Sequence, residues 1–330
     1  MENRHGSVIR WASLLAAVLA ACSGSPTGSV GTPNLNACGE TGTDSECRTI
    51  SFGGVERAYL LHVPSDFQAG TSALVIALHG SQGSGLRLKE TSGLSEESDK
   101  KGFAVVYPYA LVSPGAGFTE WNEFFNHSFG NSAPDDVGFI RQLILTLQTQ
   151  INPSPKRIFV TGLSNGGFMA HRIAVQLSDL VAAIGVVEGT LVSPGSPSDV
   201  PSPVAPVSVL MIHGDQDPTV PCCSVAPVAS QEQSFDYWIS PSADACTTVD
   251  TNQPICDAQG NPTLLPEKDA TGCKGNTEVK FYRLQGGVHL WYTVPMNVAG
   301  QIPFNSTLNS TTGVTTDDIL WNFFASHAKQ

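Results

Sequence analysis

Charge is scarce in this chain, and positive charge is scarcest. Charged residues make up 14% of the 330, and 17 Lys and Arg stand against 29 Asp and Glu, a net charge of -12. An average soluble domain has roughly a quarter of its residues charged. A protein that wraps nucleic-acid phosphates needs a basic face, so this balance excludes nucleic acid as a partner. The N-terminal apolar run, residues 11–21, falls short of the ~20 residues that an ordinary transmembrane helix requires. No Cys-His spacing resembles a zinc site, and neither a metal nor an organic cofactor is expected. What the chain does have is Gly (32), Pro (22) and eight Cys, a loop-rich composition whose thiols point to an oxidising compartment.

Arg4 and Arg10 precede the apolar run, the basic-then-apolar layout of a secretory signal. The run ends Leu19-Ala20-Ala21-Cys22-Ser23, which resembles the lipobox of bacterial lipoproteins, where the Cys thiol is acylated and becomes the new N-terminus. Residues 1–21 are therefore expected to be a lipoprotein signal peptide and Cys22 the lipid attachment point. Several acyl chains, each buried CH₂ contributing roughly 0.8 kcal/mol, would hold the chain on a membrane surface, the single contact with a membrane that is expected. Residues 22–36, rich in Ser, Gly, Thr and Pro, read as a flexible tether. The location expected is a bacterial cell surface or outer membrane, or the extracellular space after ordinary cleavage near Ala21.

Residues 37–330 read as one α/β domain, and a monomer is expected. Two β-rich runs, 49–52 and 55–63, flank Gly53-Gly54 and predict an opening hairpin. Short apolar runs at 73–78, 103–107, 158–161, 182–187, 208–212 and 279–284 have the character of strands buried on both faces. Helical patterns lie between several of them. The helix starting near Asp135-Asp136 carries Val137, Ile140, Ile144 and Leu147 on one face, another spans about 165–177, and a last one about 316–327. Alternation of this kind predicts a mainly parallel central sheet with helices on both faces. Residues 241–276, dense in Pro, Asp, Thr and Cys, are too long for an ordinary connection and predict a disulfide-tied excursion near the site.

The chemistry is concentrated at Gly162-Leu163-Ser164-Asn165-Gly166. A G-x-S-x-G string alone is weak, but this one directly follows a predicted strand and precedes a helix, the setting of a nucleophile elbow. A serine hydroxyl near neutral pH needs a base, and the base needs an orienting acid. After the strand 208–212 comes His213-Gly214-Asp215-Gln216-Asp217, offering Asp217 with Asp215 as competitor. After the strand 279–284 comes Gly286-Gly287-Val288-His289, offering the base. Both sit where the carboxyl edge of a parallel sheet meets its ligand. For an oxyanion hole, the amide after the nucleophile is that of Asn165, and the turn His79-Gly80-Ser81-Gln82-Gly83 is expected to add that of Ser81. His62, His79 and His213 are expected to be structural imidazoles. His127, His171 and His327 are expected to have surface or packing roles.

The strings LHGSQG, WN at Trp121-Asn122, DDVGFIRQLI from Asp135, RIFVTGLSNGGFMAHRIA from Arg157, HGDQDPTVP from His213 and GGVHLW from Gly286 resemble the secreted esterase/poly-3-hydroxybutyrate depolymerase family, which includes feruloyl and acetylxylan esterases. The resemblance implies an α/β-hydrolase fold and a serine carboxylic ester hydrolase. It carries the nucleophile onto Ser164, the acid onto Asp217 rather than Asp215, and the base onto His289. It also implies that Trp121 and Trp291 line the substrate crevice. Val288 and Tyr292 depart from the Gly and Pro that family members often have beside this His and Trp. The expected substrates are feruloyl or acetyl esters linked to hemicellulose. Poly-3-hydroxybutyrate-type polyesters are the alternative, with peptidase activity or an inactive glycan-binding lipoprotein behind them. Among the cysteines, Cys38 with Cys47 is the natural local loop, and the resemblance favours Cys246 with Cys273. Lipidation of Cys22 then leaves Cys222, Cys223 and Cys256, one of the adjacent pair joining Cys256.

Overall fold

The structure is a computed structural model that describes residues 46–113, 117–125, 134–192, 200–220, 229–251, 268–284, 287–293 and 315–329. The expected signal peptide and tether lie outside these residues, as do Cys22, Cys38, Cys222, Cys223, Cys256, His127 and Gly286. All the described residues belong to one unit, Gly31–Gln330. Among the described residues, no helix is long and apolar enough to cross a membrane.

The chain enters through an antiparallel hairpin of β1 (Glu46–Phe52) and β2 (Val55–His62), turned at Gly53-Gly54. The strands β3 (Leu74–Leu78), β4 (Ala104–Pro108), β5 (Ile158–Leu163), β6 (Ala183–Val187), β7 (Ser208–Gly214) and β10 (Val279–Leu284) form the parallel centre. Two short strands, β8 (Thr248–Thr251) and β9 (Lys268–Thr271), extend the far side antiparallel, giving the order β1-β2-β4-β3-β5-β6-β7-β10-β9-β8. The central strands are apolar throughout because both of their faces are covered. In β3, Leu74, Ile76 and Leu78 face the helices α3 (Asp136–Gln150), α4 (Asn165–Gln176) and α5 (Gln231–Ile239). Val75 and Ala77 face α1 (Gly85–Ser92), α2 (Leu94–Lys101) and α6 (Thr316–Ser326). Each fully buried aliphatic side chain contributes roughly 1.5–3 kcal/mol, so this double layer dominates the stability.

The strand order also locates a crevice. From β3 the chain goes to β4 on one side and then returns to β5 on the other, so the sheet has a topological switch point between the carboxyl ends of β3 and β5. That is where open parallel sheets bind their ligands.

Candidate active site

Ser164 stands at the end of β5 with φ 57 and ψ -121, a region that non-glycine residues rarely occupy. Its surroundings explain how it stays there. The Ser164 amide donates to Val187 O (2.9 Å), and α4 starts at the next residue. A Cβ on Gly162 would lie 2.3 Å from the backbone of Gly166, and one on Gly166 would lie 2.1 Å from Leu78 O. The turn is possible only with both side chains missing, and it leaves the Ser164 hydroxyl half-buried at the switch point.

The turn after β3 packs against it. The Cβ position of Gly80 is 3.3 Å from Ser164 Cβ. Within this turn Gln82 N donates to Thr119 O (2.7 Å) and Gly83 N to Gly80 O (3.0 Å). His79 is buried beneath: its Nε2 accepts from Ala110 N (3.0 Å), so Nδ1 carries the proton and donates to Gly80 O (2.8 Å). Burial lowers its pKa to about 4, which keeps the ring neutral. The side chain of Asn165 accepts from Trp121 N (2.7 Å) and donates to Trp121 O (3.2 Å). Its own amide, in the first turn of α4, has no intrahelical acceptor.

The tryptophans require a correction. Trp121 is 0% exposed and donates from Nε1 to His79 O (2.9 Å), and Trp291 is 8% exposed and donates to Asp317 Oδ1 (3.0 Å). Neither ring offers a face to a substrate. Their polar N–H groups anchor the loops that border the crevice. Asn122 continues this scaffold: its amide donates to Asp136 Oδ2 (2.8 Å), and Arg57 pairs with Asp136 Oδ1 (2.7 Å) in a fully enclosed ion pair. Asp135, not Asp136, caps α3, accepting from Gly138 N (2.9 Å).

Across the sheet, His289 Nδ1 lies 2.7 Å from Asp217 Oδ2, while Asp217 Oδ1 accepts from Thr219 N (2.7 Å) and Val220 N (2.9 Å). Burial by itself would raise the Asp217 pKa, but the neighbouring His213 and His289 rings and the Val220 amide outweigh it and hold this carboxylate well below the usual range. The loops that carry the pair are stitched together by Gln216 N to Gly287 O (2.9 Å) and Asp215 N to Leu284 O (3.0 Å). Tyr292 Oη accepts from Val288 N (2.7 Å) and donates to Val288 O (2.5 Å), so the two residues that depart from the family pattern are bonded to each other beside His289. Cys246 and Cys273 are disulfide-bonded, tying the β8–β9 hairpin to the end of α5. Cys47 is disulfide-bonded as well.

The residue that sequence reasoning missed is Glu188. It follows β6 directly, is 0% exposed, has φ 49, and places both carboxyl oxygens 3.0–3.1 Å from Gly214 N. Burial first, and the nearby Asp217 after it, raise its pKa well above the usual value, against the pull of the Gly214 amide. The one signal in the sequence is a charged residue directly after a five-residue apolar strand, between the strand that leads to Ser164 and the one followed by Asp217. The donor atoms of Glu188, Asp217 and His289 lie within 4.8 Å of one another. His289 Nδ1 and Asp217 Oδ2 are already bonded to each other.

Known proteins resemble this chain in sequence and in fold. Residues 70–236 match the Phospholipase/Carboxylesterase family, a stretch that includes Ser164 and Asp217 and ends before His289. NocK of Nocardia uniformis subsp. tsuyamanensis, a protein named as an esterase, is 28% identical over 74% of this chain and 73% of its own length. A bifunctional acetylxylan esterase/xylanase of Neocallimastix patriciarum is 25% identical over 50% of this chain, and feruloyl esterase B of Piromyces equi 24% identical over 71%. This chain spans only 22% and 42% of those two proteins. In structure, the acetyl xylan esterase from Aspergillus awamori superposes with a TM-score of 0.55 at 16% identity, covering 85% of this chain and 99% of that one. The fold is thus the α/β-hydrolase fold, and the chain belongs to the Phospholipase/Carboxylesterase family as a carboxylic ester hydrolase.

Proposed function

We propose that the chain is an exported serine esterase that uses Ser164, His289 and Asp217 to cleave feruloyl or acetyl esters of plant polysaccharides. The observation that carries this reading is the 2.7 Å bond between His289 Nδ1 and Asp217 Oδ2, on the same sheet edge as the strained Ser164. Asp217 fixes the tautomer of His289, leaving Nε2 to take the Ser164 proton as Oγ attacks the ester carbonyl. The resulting oxyanion is stabilised by the amides of Asn165 and Ser81. The Asn165 amide heads a helix, and that of Ser81 is left for substrate in a turn whose next two amides are already bonded. His289 then protonates the departing alcohol, and water activated by the same imidazole hydrolyses the acyl-enzyme.

The substrate class rests on the acetylxylan and feruloyl esterases among the relatives. Export, through the signal 1–21, a lipid on Cys22 and the tether 22–36 ahead of the domain 37–330, rests on the order of residues at the N-terminus.

A p-nitrophenyl acyl chain-length series, with methyl ferulate and acetylated xylan, tests the reading in wild type and Ser164→Ala. Both are assayed in cytosolic, membrane and culture fractions. The expected result is turnover of acetyl or feruloyl esters in the membrane or culture fraction, lowered by about 10⁴-fold or more in the alanine variant. Undiminished hydrolysis by Ser164→Ala overturns the mechanism, and activity confined to the cytosol overturns export.

A further inference from the structure

Glu188 has no part in the steps above, yet its placement is costly. A glutamate with φ 49 strains the backbone, and a carboxyl with no exposure loses its hydration. The surroundings hold it in place. Its amide donates to Ile212 O (2.9 Å), its two carboxyl oxygens face Gly214 N, and Oε2 lies 3.5 Å from His213 Nε2. His213 donates from that nitrogen to Val220 O (2.9 Å) and also lies 3.4 Å from Asp217 Oδ2. The titratable groups around Glu188 are His213, Asp215 and Asp217 from β7 and the loop after it, and His289 and Tyr292 from the segment after β10. Among the described residues, neither Lys nor Arg pairs with it.

Among the described residues, neither Lys nor Arg lies between these two buried carboxyls, and the Nε2–H of His213, the ring that does lie between them, is bonded to Val220 O, so a single negative charge on the pair is favoured over two. Asp217 has two amides and His289 to stabilise a negative charge, whereas Glu188 has one amide. The charge therefore stays on Asp217. We propose that Glu188 is a positioning residue of the esterase site, a neutral carboxylic acid that ties the end of β7 to β6 and backs Asp217, so that one negative charge and not two faces His289. This rests on the triad reading above. A second charge would hold the proton on His289 more tightly and leave less free base at neutral pH. The raised pKa of Glu188 agrees with this state.

The test is the pH dependence of kcat and KM on p-nitrophenyl acetate for wild type, Glu188→Gln and Glu188→Leu, with Ser164→Ala alongside and thermal melts as the folding control. Glutamine is neutral and bonds the same partners, so kcat is expected within roughly threefold of wild type and the acid limb of kcat/KM unmoved. Leucine leaves Gly214 N unbonded and Asp217 unbacked, and kcat is expected to fall roughly tenfold or more at unchanged KM. Glu188→Met takes its place if it does not fold. A leucine or methionine variant as active as wild type overturns the proposal. So does a glutamine variant whose acid limb moves to lower pH by about one unit, because the native side chain would then be charged. Residual full activity in Ser164→Ala would instead overturn the triad reading, and this proposal with it.

Discussion

Strand β7 is gripped at both ends by a buried carboxyl. At its amino end Asp244, 0% exposed, accepts from Val207 N (3.1 Å), and at its carboxyl end Glu188, equally enclosed, accepts from Gly214 N. Burial is the largest influence on both and raises both pKa values. The two sites differ in everything around them. Asp244 has Lys274 and Thr277 nearby and an ordinary backbone, whereas Glu188 sits on strained backbone within reach of His213, Asp217 and His289. A buried acid is thus not a sign of chemistry by itself. The sign is a second titratable group that it can influence, on the sheet edge where ligands bind.

The largest expected effect separates the two ends by charge alone. Asp217→Asn keeps an oxygen for the amides of Thr219 and Val220 but turns a donor toward His289 Nδ1, which favours the wrong tautomer. A loss of about 10⁴-fold in kcat is expected, as in serine proteases with this change, with little change in melting temperature. Steady-state kinetics at saturating ester checks it, and a loss under tenfold would mean that the carboxyl end of β7 is no more chemical than the amino end.

The carboxyl edge is breakable through its backbone as well. Gly166→Ala sets a methyl 2.1 Å from Leu78 O and 2.7 Å from His79 O, atoms of β3 and the following turn that cannot move aside singly. A destabilisation of about 3 kcal/mol is expected, with a fall in kcat as the elbow opens. The midpoint of urea unfolding reads the first effect.

Much of this was legible in the residues. The central strands could be read because cover on both faces demands uninterrupted apolar runs such as Leu74 to Leu78, and the elbow because only glycine fits beside Ser164. Chain order after strands offers His289 and the pair Asp215 and Asp217, between which the family resemblance favours Asp217, the one found beside His289. The helices α1 and α2 were not expected, since their buried apolar contacts reduce to Leu88 and Leu94, too few for a visible stripe. Strands β8 and β9 are short and polar, β8 an exposed edge strand and β9 a partly buried one paired on both sides, and they are recognisable only by their pairing. The burial of Trp121 and the gathering of Glu188 with Asp217 are tertiary facts, set by which strand ends the topology brings together.

The smallest effect expected falls at the amino end and appears only as a slope. Burial raises the Asp244 pKa from 3.8 to about 7, against the lowering influence of Val207 N, Thr277 and Lys274. Between these two values the folded protein binds more protons at this site than the unfolded chain, so stability decreases as pH rises through the window and levels off above it. Asp244→Asn removes the titration but keeps an oxygen for Val207 N. Its amide nitrogen takes the place of Oδ2, and any cost of that is independent of pH. The stability of the variant relative to wild type should therefore rise by on the order of 2–4 kcal/mol between pH ~4 and ~8, read from urea midpoints, while kcat stays unchanged. All other titrations cancel in that difference. Parallel stability curves would mean that Asp244 is ionised within the fold across the window, and an altered kcat would mean that the two ends of β7 are coupled.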